Sequence, residues 1–124
     1  MMERSVNRVE LVGNVGVEPR ITTFDGGRQV LRLSVATDEN VKDKNGEWRN
    51  EATWHTVVAW SHDDLPDFAS FKKGQRVQVL GRIKNRSYEG KDGQTKYSYE
   101  ILASSLKIDG TDAENKDNLK NQTK

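Results

Sequence analysis

Apolar and polar residues alternate with a period of two along most of this chain. Such alternation predicts β-strands that bury one face and expose the other. The predicted strands cover residues 9–13, 21–24, 30–37, 52–60, 75–88 and 95–103, with 106–108 as an extension of the last one. Turn signals fall at Asp25-Gly26-Gly27 and at residues 89–93. The pattern therefore predicts an all-β fold.

Polar residues fill the segment 38–53, which contains Asn45-Gly46. This dipeptide favours a two-residue type I′ hairpin turn, because both central positions of that turn need a positive φ. We therefore interpret the segment as a long, exposed β-ribbon rather than a disordered loop.

The period changes over residues 62–73, which form the one predicted helix. Ser61 and Asp64 resemble a capping box at its start. Gly74 can end the helix in a left-handed conformation. The apolar positions that fit one helical face are Leu65, Phe68 and Ala69.

Five strands with one late helix suit an OB-fold, a five-stranded Greek-key barrel, in which the helix lies between strands 3 and 4. A β-sandwich is the alternative, but a lone helix at this position favours the barrel. Residues 109–124 contain two aliphatic residues and no aromatic ones, so they are predicted to form a short disordered tail. The OB-fold domain is expected to cover residues 1–108.

Composition excludes several classes of function. There is no cysteine, so disulfides and thiolate nucleophiles are absent. Neither a long apolar run nor a secretory signal is present, which predicts a cytoplasmic protein without a membrane partner. The net charge is only +1, so any case for binding a polyanion must rest on where the charges lie.

The strand predicted over residues 75–88 carries the most informative charge pattern. Its odd positions form the face that we expect to be buried, and Gly81 among them suggests a bulge or bend. These odd positions are Val77, Val79, Gly81 and Ile83, whereas the even positions include Arg76, Arg82, Lys84, Arg86 and Tyr88. A solvated face is the alternative interpretation. Like charges in a row repel, however, which indicates an anion opposite them.

Three tryptophans bear on that choice. Trp54 and Trp60 share one face of their strand, and a lone pair of this kind is more often part of a core. Trp48 lies in the polar ribbon, where burial is not expected. Basic residues interleaved with exposed aromatic residues form a stacking surface for unpaired bases, with weak sequence preference.

Catalysis has little support in the sequence. His55 and His62 are seven residues apart in different predicted elements, and no metal-ligand spacing occurs. We interpret His55 as a structural or interface residue. Asp63 and Asp64 suit the start of a helix. The sequence therefore predicts a binding protein without a metal or cofactor, not an enzyme.

An ordered set of segments resembles the bacterial-type single-stranded DNA-binding protein family. The segments are VNRVELVGNVG at 6–16, EP at 18–19, SVAT at 34–37, TWHTVV at 53–58, KKG at 72–74, VLG at 79–81, NRSY at 85–88, GQTKY at 93–97 and EI at 100–101. Each fragment alone is weak, but the set covers residues 4–108 in the family's order.

The resemblance implies an OB-fold homotetramer that wraps single-stranded DNA around its outside, in the bacterial nucleoid, during replication, recombination and repair. Together with the residue patterns, it gives the expected DNA contacts Trp48, Trp54, Trp60, Lys73, Arg82, Lys84, Arg86 and Tyr88. Trp48 and Arg82 come from the patterns alone. The expected subunit interface contains Asn7, Val9, Leu11 and His55.

The chain departs from the family in two places. Val41 stands where the family commonly has a further stacking tryptophan. If Asn45-Gly46 is a two-residue turn, Asp43 lies opposite Trp48, and Val41 lies diagonally beside Trp48 on the same face of the ribbon. We hypothesise that Trp48, on the other strand of the ribbon, supplies the stacking surface that is missing at Val41. The sequence also lacks the family's acidic tip closed by phenylalanine, so we expect recruitment of repair and replication enzymes through such a tip to be absent, unless the chain is truncated. A second copy on a mobile element would fit.

Two rival functions remain at this point. One is a dimeric replication-restart accessory that acts mainly through protein contacts, which the absent tip favours and the retained aromatic residues oppose. The other is an RNA-binding OB module, since nothing in the sequence distinguishes RNA from DNA.

Overall fold

A computed structural model describes residues 4–62 and 65–109 of the chain. The strands are β1 (Val9–Val15), β2 (Arg20–Thr23), β3 (Gln29–Lys42), β4 (Trp48–Trp60), β5 (Arg76–Glu89) and β6 (Thr95–Ile108). A single 3₁₀ turn, Phe68–Ser70, lies between β4 and β5. Apart from Asp109, the predicted tail lies outside the described residues, as do Asp63 and Asp64.

Five of the strands close into a barrel. β1 pairs with β5, β5 with β6, β6 with β4, and β4 with β3, and β3 returns to β1. The β4–β6 pair is parallel, whereas the other pairs are antiparallel. β2 adds a short antiparallel strand to β3. The predicted OB-fold is confirmed, and the sandwich alternative is excluded because the sheet closes on itself.

The alternating positions bury their apolar members inside this barrel. Val35, Val57 and Val77 have no exposed surface, and Phe68 and Phe71 pack against the same cluster. Burial of these side chains is the main source of stability for so small a domain. The residues that alternate with these buried ones point away from the interior and form the outer surface of the barrel.

The helix predicted between strands 3 and 4 of the barrel is present but shorter than residues 62–73, because the described part of that segment forms only the 3₁₀ turn Phe68–Ser70. Pro66 has no backbone N–H and disfavours helical geometry at the residue before it, so the helix cannot start where the apolar spacing predicts. The turn begins instead after Asp67, whose carboxylate accepts a hydrogen bond from the Ala69 N–H at 3.2 Å. Gly74 has the expected positive φ, +89°, but it ends a turn rather than a helix.

The predicted irregularity at Gly81 is confirmed. The β5–β6 register shifts between Leu80 and Gly81, and a Cβ at Gly81 would overlap the Leu102 carbonyl. Ile83, which we expected to be buried, is 49% exposed. The reason is that the β1–β5 pairing ends at Val9 and Gly81, so Ile83 lies at the end of the barrel, where no further residue of β1 covers it.

The long β3–β4 ribbon is confirmed, but its predicted two-residue turn is wrong. Only Gly46 has a positive φ, and the Asp43 N–H donates to the Glu47 carbonyl at 2.8 Å, which leaves a three-residue loop. Trp48 therefore lies opposite Lys42 instead of Asp43. Because a shift of one residue moves a side chain to the other face of a strand, Val41 and Trp48 are on opposite faces. Trp48 therefore does not supply the stacking surface that is missing at Val41, contrary to the prediction.

Candidate nucleic-acid interface

The predicted tryptophans and the basic row lie on one face of the sheet. Leu102 of β6 is opposite Arg82 in the β5–β6 pair and opposite Val58 in the β4–β6 pair. Paired residues point to the same side of a sheet, and residues two positions apart in a strand do so as well. The face that results, called here the outer face, carries Trp48, Trp54, Trp60, Arg82, Lys84, Arg86 and Tyr88. Strand pairing thus unites two groups that are far apart in sequence.

Arg32 belongs to the same outer face, although it was not among the predicted contacts. It lies opposite Val58 in the β3–β4 pair, and Arg20 lies opposite Arg32 in the β2–β3 pair. The sequence held a signal for it, since Arg32 alternates with buried leucines in the predicted strand. Because Arg20 and Arg32 lie directly opposite each other, they concentrate two positive charges on this face.

Glu100 provides an anion within the chain. It lies opposite Lys84, and its Oε2 accepts hydrogen bonds from Arg32 at 3.0 Å and from Arg86 at 3.1 Å. Burial by itself raises the pKa of the Glu100 carboxyl, but the hydrogen bonds and charges of the two arginines lower it below the usual value. One carboxylate set against Arg32, Arg82, Lys84 and Arg86 still leaves this part of the face strongly positive.

Trp54 is an open surface at one end of the outer face. Its side chain is 58% exposed, and its ring lies against Gly16, where a Cβ would overlap the ring. The Gly74 N–H donates to the Val15 carbonyl at 2.8 Å, next to Gly16 in the chain. Lys73, which is exposed and precedes Gly74, is therefore close to the segment that supports Trp54.

Trp60 has quite different surroundings. Its ring stacks on Phe24, with centroids 5.5 Å apart and planes at 25°, and the Arg28 guanidinium carbon is 4.4 Å from its centroid. Trp60 and Phe24 line the same groove as Lys84 and Arg86. Phe24 and Arg28 are not among the predicted DNA contacts, although both flank the predicted Asp25-Gly26-Gly27 turn.

Trp48 and Tyr88 stand near the tips of the two ribbons. Their side chains are 66% and 50% exposed, so burial in a core does not account for either of them. The Lys42 ammonium nitrogen is 5.8 Å from the Trp48 ring centroid. Both residues extend the outer face beyond the barrel.

The predicted interface residues of the first strand are partly engaged within the chain. The Asn7 side chain donates to the Ile83 carbonyl and accepts from the Ile83 N–H, both at 2.9 Å. Val9 and Leu11 pack against the core cluster at its border. Since β1 pairs with β3 only through Asn14 and Val15, the other edge of residues 9–13 has no partner strand in the described part of the chain.

His55 is half-buried, and its Nε2 is 2.9 Å from the Thr37 hydroxyl. Within residues 4–62 and 65–109, no group of three potential ligands could hold a metal ion. No helix in that part of the chain is long and apolar enough to cross a membrane.

A closed OB barrel with exposed aromatic and basic residues on one outer face has the architecture of proteins that bind single-stranded nucleic acids. The sequence profile of the Single-strand binding protein family matches residues 6–109. The chain belongs to this family, as the sequence resemblance predicted. Its members are DNA-binding proteins without enzymatic activity, which confirms the expectation of a binding protein.

Individual relatives agree with this assignment. The chain is 35% identical over 112 residues to single-stranded DNA-binding protein 1 of Chlorobaculum tepidum, covering 88% of this chain and 68% of that protein. It is 36% identical over 113 residues to the single-stranded DNA-binding protein of Neisseria meningitidis serogroup A, covering 90% of this chain and 64% of the relative. The chain therefore spans only about two thirds of these relatives.

Solved structures give the same result. The Plasmodium falciparum SSB complex with ssDNA superposes with a TM-score of 0.70 at 32% identity, covering 87% of this chain and 98% of that one. A deletion mutant of the single-stranded DNA binding protein from Thermus aquaticus gives a TM-score of 0.69 at 27% identity, covering 86% of this chain and 52% of that one.

Proposed function

We propose that this protein binds single-stranded DNA without sequence preference and protects it during replication, recombination and repair. The observation that carries the proposal is the outer face, on which exposed aromatic and basic side chains from two separate strands lie together. The bases stack on Trp48, Trp54, Trp60 and Tyr88, and the phosphates contact Lys73, Arg82, Lys84 and Arg86.

The chemistry of these side chains explains the lack of sequence preference. Every base has a π-face, so an aromatic ring accepts any of them, at roughly 1–3 kcal/mol per stacked base. Lysine and arginine read only the phosphates, and each contact releases counterions, which makes the affinity dependent on salt. The outer face supplies both kinds of contact but no fixed set of donors and acceptors for base edges.

The rival functions predict different ligands, and a competition experiment separates them. Fluorescence anisotropy of a labelled oligo-dT would be measured with unlabelled mixed-sequence single-stranded DNA, duplex DNA and RNA as competitors. The proposal predicts that any single-stranded DNA competes well and duplex DNA poorly. Stronger competition by RNA would favour the RNA-binding alternative, and absence of binding to any of them would favour a protein-interaction module.

We further propose that the protein assembles with copies of itself, most simply as a tetramer. The support is the unpaired edge of residues 9–13, since an exposed strand edge readily pairs with another chain. Val12 on this strand is 43% exposed, and His55 is half-buried nearby in the barrel wall. Native mass measurement tests this proposal. A monomer at micromolar concentration would contradict it, and a dimer would favour the replication-restart accessory.

A further inference from the structure

The β2–β3 hairpin turn carries an aromatic residue and a cation on the same side. Gly26 and Gly27 both have positive φ, +88° and +87°, which few other residues tolerate. The turn they form lets the Phe24 N–H donate to the Arg28 carbonyl at 2.7 Å. Phe24 and Arg28 are thus opposite each other, next to the strand β4.

Both residues contact Trp60, one of the proposed stacking residues. Phe24 is 46% exposed even though its ring lies on Trp60 at 5.5 Å, so it offers an aromatic surface to solvent. Arg28 is 4.4 Å from the centre of the same tryptophan ring. An exposed phenylalanine beside an arginine and a tryptophan combines an apolar surface for a base with a cation for a phosphate.

The groove at this cluster also connects it to the basic row. Phe24 and Trp60 line it on one side, and Lys84 and Arg86 line it on the other. Glu100 lies in the same groove, but its carboxylate is bound by Arg32 and Arg86, so a strand that follows Lys84 and Arg86 to Trp60 comes next to Phe24. The positive charge of Arg28 suits a polyanion rather than an apolar partner.

We propose that Phe24 and Arg28 form a further nucleotide contact, in which Phe24 stacks on a base of the bound single strand and Arg28 holds an adjacent phosphate. This inference rests on the proposed binding of single-stranded DNA. It extends the DNA path over the β2–β3 turn, beyond the residues that the family resemblance assigns.

Two substitutions and two controls test the contact. Phe24→Leu keeps an apolar side chain but removes the ring, and we expect about tenfold weaker binding of oligo-dT. Arg28→Gln should lower the slope of log affinity against log salt by about 0.7, the value for one phosphate on a single strand. Lys107→Gln removes an equal charge from an exposed position outside the groove, and its slope should stay unchanged.

Thr23→Ala is the control for the hairpin itself, because Thr23 contacts the Gln29 side chain at 3.2 Å and is not among the residues that line the groove of Trp60. Its affinity for oligo-dT should equal that of the parent protein. If Phe24→Leu and Arg28→Gln lower the unfolding temperature but leave affinity and salt slope unchanged, the cluster is only structural and the inference is overturned. If the parent protein itself binds no oligo-dT, the proposed function fails instead.

Discussion

Trp54 and Trp60 of β4 lie six residues apart on the same outer face, yet their surroundings differ. Trp54 rests on a glycine and leaves most of its side chain open to solvent. Trp60 is covered in part by Phe24 and Arg28. Position on the sheet therefore determines which face a side chain joins, but the neighbouring turn determines how much of that side chain a ligand can reach.

The largest effect is expected at the covered end. Trp60→Ala removes a proposed stacking surface and also the ring that Phe24 and Arg28 contact. We expect a loss of roughly 1–3 kcal/mol in binding of oligo-dT. The lost aromatic and cation–π contacts should cost about 1–2 kcal/mol of folding stability as well. Titration and thermal unfolding measure the two losses. An unchanged unfolding temperature would show that the cluster around Trp60 contributes nothing to stability.

At the open end, around Trp54, a substitution should lower affinity for DNA without lowering the stability of the fold. Trp54→Ala removes a largely exposed ring, so binding of oligo-dT should fall by roughly 1–3 kcal/mol, whereas stability should change by less than about 0.5 kcal/mol. The same two measurements apply. If Trp54→Ala destabilised the protein as much as Trp60→Ala, the contrast between the two ends would be wrong.

A smaller effect is expected from Gly16→Ala, which acts on Trp54 indirectly. The added Cβ overlaps the Trp54 ring, and because that ring is exposed it can swing away. We expect binding to weaken by about 1 kcal/mol, less than for removal of the ring, with little loss of stability. Gly13→Ala is the informative control, since its Cβ would meet the Ala36 backbone carbonyl instead and should destabilise the barrel. Equal losses of stability in the two variants would contradict this account.

The smallest expected effect is a gain in affinity for DNA rather than a loss. Glu100→Gln removes the carboxylate that Arg32 and Arg86 share in the Trp60 groove. We expect tighter binding at low salt, by about 0.5–1 kcal/mol, and an advantage that fades as salt rises. Glu51→Gln is the matched control, because Glu51 pairs with Arg49 at odd positions on the opposite face of β4. Weaker binding by Glu100→Gln would mean that the carboxylate mainly positions the arginines.

The pH dependence of the same variant follows from the lowered pKa of Glu100. A carboxyl whose pKa is lower in the folded state contributes stability above its ordinary value of 4.5 and loses it as the pH falls through the folded value. The stability difference between the parent protein and Glu100→Gln should therefore be constant above pH 4.5 and shrink below it. Thermal unfolding over a pH series measures it, and a constant difference down to strongly acidic pH would contradict the assignment.

Much of the fold could be predicted, because period-two alternation is a local property of the sequence. It located the strands, their buried faces and the row from Arg82 to Tyr88. Apolar spacing predicts too long a helix before β5, because the spacing carries no information about the effect of Pro66 on the backbone. The turn at Asn45-Gly46 was misassigned because a left-handed glycine fits both a two-residue and a three-residue loop.

What the sequence could not provide is the contact between distant elements. Glu100 of β6 meets Arg86 through the β5–β6 pair and meets Arg32 of β3 across the intervening strand β4. Phe24 and Arg28 reach Trp60 only because the β2–β3 hairpin lies beside the end of β4. Such contacts depend on register and closure, which no single segment encodes.

Tryptophan fluorescence measured during titration with poly-dT tests the central claim most directly, because all three tryptophans of the chain lie on the outer face. The account predicts strong quenching at low salt and a midpoint that moves to higher DNA concentration as salt increases. Duplex DNA of the same length should quench far less. Unchanged fluorescence with poly-dT at low salt, or equal quenching by the duplex, would contradict the claim that this face binds unpaired DNA.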